Sequence, residues 1–308
     1  MSDQKKIFVF TATGDQGSSV AKYLAKTGQY EIWGLTRNTE SDKAKELTQL
    51  GVKMVKGDMD DVSSYEPHLE GIHGAFVNAD FWAKYFSNGF NGKEAGEYEY
   101  GVATRAIEAV VKAGAKHIIY SSLDDCPFVP HFHYKQEVSK WAKSKDYPVT
   151  NLHVAHYLSN LVKFPDFIKA DGEGGYILQI AAADETTLGN FAVEQTGGWV
   201  VPIFADSKKY LGGKVNATSE TLTVKEWAKE ISEYIGKPVK TMGLTPAIYD
   251  DYSGLVKNGV PEELVLNYKG FNEGYFKWNL KESLEVFPDA WDTKAWAKNT
   301  GALDQFKA

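Results

Sequence analysis

The run Ile7-Phe8-Val9-Phe10 passes straight into Thr11-Ala12-Thr13-Gly14-Asp15-Gln16-Gly17, and this junction restricts the fold more than any other feature of the chain. Four consecutive apolar residues read as a strand buried on both faces, the habit of a parallel sheet covered by helices. Behind Gly17, Val20, Tyr23 and Leu24 recur at helical spacing as far as Thr27, and Gly28 stands where a helix ends. Strand, glycine turn and helix make the first half of a βαβ unit. Missing Cβ atoms at Gly14 and Gly17 let the backbone approach a pyrophosphate, whose charge the helix N-terminus stabilises. Taken alone, two glycines three apart also suit a plain βα turn.

The rest of the first half supplies the context that such a turn needs. Glu31 to Leu35 reads as a second strand, Ser41 to Leu50 as a helix, Lys53 to Val55 as a third strand and Ala75 to Asn78 as a fourth. A long helix from about Glu94 to Ala113 leads to a fifth strand at His117 to Tyr120. A helix beginning near His131 and running past Ser139 leads to a sixth strand at Asn151 to Val154. The expected fold is therefore α/β, a Rossmann-type doubly wound parallel sheet. After about Tyr157 the alternation weakens into segments at Phe164 to Ala170, Thr223 to Ile235 and Thr245 to Val256. These predict a smaller, mostly helical C-terminal substrate domain. Residues 1–156 form the nucleotide-binding domain in this reading, with a probable return strand near 213–218, and 157–308 form the substrate or partner domain. Trp199 to Ile203 and Lys214 to Ala217 read as β-like stretches, one or both returning to the main sheet.

Composition excludes several classes. No apolar run reaches the roughly 18–20 residues that a membrane helix needs, and the first residues run directly into a strand, so a cytoplasmic location is expected, with nuclear access through a partner left open. A formal net charge of -7 without single-sign blocks argues against direct nucleic-acid contact, which needs a basic footprint. Cys126 is the single cysteine, which fits a reducing compartment and a packing role. His153 and His156 have no carboxylate or thiol at ligand spacing, so no metal site is expected. The oligomeric state is not readable from the sequence.

The end of the second strand selects the nucleotide. A carboxylate there would accept the ribose hydroxyls of NAD, whereas a 2′-phosphate needs a cation and no carboxylate. The chain has Leu35-Thr36-Arg37-Asn38, which points to NADP(H). Arg37 then clamps the 2′-phosphate with the Thr36 hydroxyl, and Lys43 beside it; an ordinary surface arginine is the competing reading. Asp58 lies where an adenine amino group would sit, or else caps the segment that follows. Asn78 stands at the carboxyl edge of the sheet, where ligands bind in open α/β folds. Phe81 and Trp82 wall the nicotinamide or substrate pocket, or belong to the core.

Together these residues resemble the NmrA-like group of atypical short-chain dehydrogenase/reductases, the NADPH-sensor and isoflavone-reductase-like proteins. Thr13 to Gly17 with Ser18, Ser19 and Val20 is similar to that family's cofactor turn, and Thr36-Arg37-Asn38 to its 2′-phosphate loop. Gly57-Asp58, Val77-Asn78 with Phe81-Trp82, Tyr120-Ser121-Ser122 and the stretch from Tyr157 to Asn160 follow in the family's order. The resemblance implies an NADP(H)-binding protein, either a redox-sensing regulator that acts through a protein partner or an atypical reductase. It implies cofactor contacts from Thr11, Thr13, Gly14, Asp15, Gln16, Gly17, Thr36, Arg37, Asn38, Asp58, Asn78, Lys135, Tyr157 and Asn160, with Tyr157 also facing substrate. The chain departs from the family at Thr11, which replaces the first glycine and brings a Cβ into the tight turn, and at His153 and Ala155 on the sixth strand.

The largest departure concerns chemistry. The wider superfamily protonates a carbonyl with the tyrosine of a Tyr-x-x-x-Lys helix, an i, i+4 pair on one face. Here Lys135 is in place, but the residue four before it is His131. Tyr134 is adjacent and lies about 100° round the helix, so it does not substitute. Tyr210 and Lys214 have the spacing but span a glycine loop. The candidates for catalysis are Lys135, which also suits the nicotinamide ribose, His131, and Ser122 as an auxiliary hydrogen-bond donor. An imidazole titrates near neutrality, although His131 in a helix-capping role is the plainer alternative. Two functions follow: a sensor in which cofactor occupancy shifts loops between Phe81 and Gly96, or an NADPH-dependent oxidoreductase reducing a small carbonyl or enone.

Overall fold

Alternating apolar strands and amphipathic helices assemble as the sequence leads one to expect. In the computed structural model, which describes residues 4–164 and 166–307, β1 (Lys5–Val9) is followed by α1 (Asp15–Thr27), β2 (Tyr30–Thr36), α2 (Asp42–Gln49), β3 (Lys53–Lys56) and β4 (Ile72–Val77). The chain continues through α3 (Phe81–Ser87), α4 (Gly92–Lys112), β5 (His117–Ser122), α5 (Pro130–Ser144) and β6 (Val149–Val154). Among the described residues these strands form a seven-stranded sheet whose order runs from the return strand Lys214–Ala217 through β6, β5, β4, β1 and β2 to β3. Its pairings are all parallel. The order reverses at β1, between β2 and β4. That places a crevice at the carboxyl ends of the central strands.

Side-chain alternation along β1 divides the core between the two faces of the sheet. Phe8 and Phe10 pack with Leu35, Val55, Tyr65, Ile107, Val110, Ile118, Tyr120 and Val138. Ile7 and Val9 are equally buried and by alternation face the other side. There α1 meets the helix Thr196–Ala205, and Gly197 lies so close that an added Cβ would stand 2.7 Å from the Ser19 carbonyl oxygen.

The chain divides into two compact units, 1–123 with 130–154 and 193–217, and 124–129 with 155–192 and 218–308. The second unit has the helices Val224–Ile235, Glu262–Asn272 and Thr293–Thr300. Among its described residues there are also two small three-stranded sheets. In one, Thr187–Phe191 pairs antiparallel with Glu220–Thr223 and parallel with His156–Tyr157; in the other, Tyr176–Leu178 pairs with Ile168–Ala170 and Val239–Thr241. Thr223 and Glu226 close a capping box at the head of Val224–Ile235.

Three local expectations change. Trp199 to Ile203 is helical, because this apolar run is buried by packing on α1; a continuous run carries no period that separates strand from helix. In the segment Phe164 to Ala170, residues Ile168–Ala170 are a strand, and Pro165 lies outside the described residues. The stretch from Phe81 to Gly96 is mainly α3 and the start of α4, each begun by a side-chain cap, Asp80 accepting from Ala83 N–H and Asn91 from Glu94 N–H.

One buried residue of the first unit makes the fold sensitive to acid. His117 on β5 is fully buried, with Nε2 2.7 Å from Thr150 Oγ1 and Nδ1 3.0 Å from Ser207 Oγ. The Thr150 hydroxyl donates to the Tyr210 carbonyl at 2.7 Å, so Nε2 carries a proton and donates to Thr150. Burial, helped by His73, pulls its pKa down to about 4. Between the ordinary value near 6.5 and about 4, the unfolded chain binds a proton that the folded chain refuses, so stability falls as pH falls through that window. His117→Gln is expected to lessen the loss by up to about 1.4 kcal/mol per pH unit. Urea unfolding at several pH values between 4.5 and 6.5 measures it; parallel wild-type and variant curves would contradict it.

Candidate functional site

The site grows from the β1–α1 turn. Thr11 turns the chain with φ of 48°, in the left-handed region where a β-branched residue costs about 1–2 kcal/mol. Its hydroxyl bonds the Asn78 carbonyl at 3.3 Å, and its own carbonyl accepts from Gly14 N–H at 2.8 Å. A Cβ on Gly17 would lie 2.2 Å from the Thr11 carbonyl oxygen and 3.0 Å from the Cα of Ala12, whereas one on Gly14 would lie 3.1 Å from that oxygen. Gly17 thus sets how closely α1 packs against the turn. Gly14 is the N-cap of α1 and offers no capping side chain, leaving the first-turn N–H groups without that internal acceptor.

The next strand end adds polar groups. Thr13 and Thr36 hydroxyls meet at 3.0 Å, which joins the glycine turn to the end of β2. Asn38 organises the turn beyond it, its side chain accepting from Glu40 N–H at 2.9 Å. Arg37 is exposed and among the described residues has no ion-pair partner. Lys43 instead pairs with Asp15 at 3.6 Å, and such an exposed pair contributes little. Gln16 is buried. The Asp58 side chain accepts from Asp60 N–H at 3.1 Å, while the cap of the following 3-10 turn is Asp61.

At the carboxyl ends of β4 and β5 lies the second cluster. Lys135 on α5 is nearly buried, and its Nζ stands 2.8 Å from Glu99 Oε1 on α4, 3.4 Å from the Ala79 carbonyl oxygen and 3.5 Å from that of Ser121. The same Nζ is 5.7 Å from the centre of the Tyr120 ring. His131, one helical turn before Lys135, packs its ring 5.5 Å from Phe81 and 5.0 Å from Trp82. Phe81 is buried and Trp82 half-buried. Tyr134 turns towards α4, where its ring covers Gly96 so closely that a Cβ there would fall 2.0 Å from Cδ2.

Other expected residues lie elsewhere. The Ser122 hydroxyl is fully buried and shares a hydrogen bond of 2.8 Å with Ser139, which bonds Asn151 Oδ1 at 2.9 Å. Serving as a donor to a ligand would require breaking that network. Tyr157 and Asn160 belong to the second unit, where the Tyr157 ring meets Phe191 edge-on at 5.3 Å and Asn160 Nδ2 lies 3.3 Å from His156 Nε2. Cys126 is also in that unit, and burial pushes its thiol pKa up to about 12. Among the described residues no group of three or more His, Cys, Asp or Glu is placed to hold a metal ion, and no helix is long and apolar enough to cross a membrane.

The sequence reading missed Glu99. It sits among Ala95, Val102, Ala103 and Ala106 on the buried face of α4, so a charged residue at an apolar position of the helical period was the available signal.

The model of the NmrA-like family matches residues 3–302. An NmrA-like family domain-containing protein of Dictyostelium discoideum is 27% identical over 259 residues, covering 80% of this chain and 82% of its own. The NmrA-like family domain-containing oxidoreductase malD of Malbranchea aurantiaca is 26% identical over 323 residues, covering 98% and 92%. Among solved structures, NmrA, a negative transcriptional regulator crystallised with NADP, superposes with a TM-score of 0.78 at 20% identity, covering 98% of this chain and 97% of NmrA. At that identity the likeness establishes the fold, a Rossmann-type doubly wound sheet.

Proposed function

The chain belongs to the NmrA-like family, and on that premise we propose that it binds NADP(H) at the β1–α1 turn and acts as a redox-sensing regulator. The observation that carries the binding is the cradle at Gly17, where any Cβ would collide with the Thr11 carbonyl. Such contact between helix and strand leaves the head of α1 open to a pyrophosphate. Arg37, exposed and among the described residues without an ion-pair partner, supplies from the end of β2 the cation for a 2′-phosphate. The Thr36 hydroxyl lies in the same turn, and Asn38, Asp58 and Asn78 offer polar groups at neighbouring strand ends. Thr11, Thr13, Asp15 and Gln16 surround the turn itself. Lys135 would hold ribose hydroxyls at the carboxyl edge of β4 and β5. NmrA, crystallised with NADP and described as a negative transcriptional regulator, has the same fold. A protein partner is part of this reading.

A second reading, an NADPH-dependent oxidoreductase of a small carbonyl or enone, draws on the oxidoreductase relative and on the Lys135 cluster. When bound, the nicotinamide supplies a hydride. Phe81 and Trp82 would face a flat substrate, and Lys135 or His131 would hand a proton to its oxygen. The sensor is preferred because no tyrosine stands four residues before Lys135 and the Ser122 hydroxyl is engaged with Ser139. A panel of quinones, aldehydes and enones, monitored by NADPH absorbance, is expected to show no substrate-dependent oxidation above the uncatalysed rate. Robust turnover that Lys135→Ala abolishes would overturn the sensor and establish the reductase.

A further inference from the structure

We propose that Glu99 is the positioning residue for Lys135, a buried carboxylate on α4 that fixes the lysine Nζ at the carboxyl ends of β4 and β5. The inference rests on the cofactor reading above for its purpose but not for its geometry. Glu99 is fully buried and its Oε1 lies 2.8 Å from Nζ. Lysine has a long flexible stem, and the other oxygens around this Nζ, the carbonyls of Ala79 and Ser121, stand at 3.4 and 3.5 Å, too far to hold it alone. Among the described residues Glu99 therefore provides the one short contact that selects the rotamer. The two long contacts are the ones that a ligand oxygen can replace.

An apolar residue would serve packing at least as well. The neighbours of Glu99 on the buried face of α4 are Ala95, Val102, Ala103 and Ala106, and exchanging a buried ion pair for apolar groups is often neutral or stabilising. Burial pushes the Glu99 carboxyl towards its protonated form, and Asp80 adds to that; Lys135 and His131 pull it back towards the charged form. Among the described residues its Oε2 has no hydrogen-bond partner, nor has the buried Tyr120 hydroxyl. The arrangement is costly as structure, and its yield is an oriented cation at the ligand-binding edge of the sheet.

A double-mutant cycle of Glu99→Gln and Lys135→Met, read by calorimetric titration with NADPH and by urea unfolding, tests this. Glu99→Gln is expected to weaken NADPH binding about tenfold or more while Lys135 is present and less than about twofold when Lys135 is Met. Glu99→Asp should retain most of the affinity, and it replaces Glu99→Gln should that variant not fold. An equal loss in both backgrounds, or no loss, would overturn the proposal. Should the wild-type protein bind no nicotinamide nucleotide, the proposed function fails, and unfolding still decides the pair. The double variant is expected to be more stable than either single variant, whereas additive penalties would refute the coupling.

Discussion

Gly17→Ala is expected to cost about 3 kcal/mol of stability and to leave no measurable NADP(H) binding in whatever folded protein remains. The reason is local and steric. The new Cβ would stand 2.2 Å from the Thr11 carbonyl oxygen and 2.8 Å from its carbon, both backbone atoms that cannot swing aside as a side chain can. Relief requires moving α1 away from the turn, and the turn is tied to its surroundings. Ala12 N–H donates to the Leu35 carbonyl at 2.9 Å, and the Thr11 hydroxyl reaches the Asn78 carbonyl. α1 is held from the other side by Ser19, whose hydroxyl donates to the Glu194 carbonyl at 2.7 Å and accepts from Gly197 N–H at 3.0 Å. A displaced α1 carries its first-turn N–H groups out of reach of a pyrophosphate. Gly14→Ala is the control, because its Cβ would meet the same oxygen at 3.1 Å, with φ of -74° already suited to any residue. It should fold with a penalty below about 1 kcal/mol. Urea unfolding of the two variants separates them, and equal penalties would sink the close-approach account of Gly17.

Arg37→Ala is expected to reduce NADPH affinity by about 10- to 100-fold while changing NADH affinity by less than about threefold. A charge-assisted bond from a guanidinium to a phosphate contributes roughly 1.5–3 kcal/mol, and NADH lacks the 2′-phosphate that receives it. Arg37 has no competing ion pair among the described residues, whereas Lys43 is paired with Asp15 at 3.6 Å. Lys43→Ala should accordingly have the smaller effect. Fluorescence titration of both reduced nucleotides measures the difference, and equal losses for NADPH and NADH on Arg37→Ala would place the 2′-phosphate elsewhere.

How much of this was readable in advance depends on the range of the interactions involved. The β1–α1 turn was legible because strand, glycines and helix are contiguous, and local chemistry decides them. Thr11 was visible as a departure, though its left-handed backbone appears only once the turn is built. The doubly wound parallel sheet followed from alternation, and Lys214–Ala217 was one of two stretches expected to return to it. Trp199 to Ile203 was misread because a uniformly apolar run carries no period that separates strand from helix. Ser122 looked available until the fold brought Ser139, seventeen residues away, within hydrogen-bonding distance. Glu99 was hidden differently. Its place on the apolar stripe of α4 was legible, but its meaning depends on Lys135, which lies on the next helix and meets it only in the folded protein.

The central claim is an NADP(H) site built on the Gly17 cradle and the Arg37 cation. Calorimetric titration of the wild-type protein with NADPH, NADP⁺, NADH and NAD⁺ under one buffer and salt condition tests it most directly. Both 2′-phosphorylated nucleotides are expected to bind at least about tenfold more tightly than their unphosphorylated counterparts. Equal affinity for all four nucleotides, or binding of none, would contradict it.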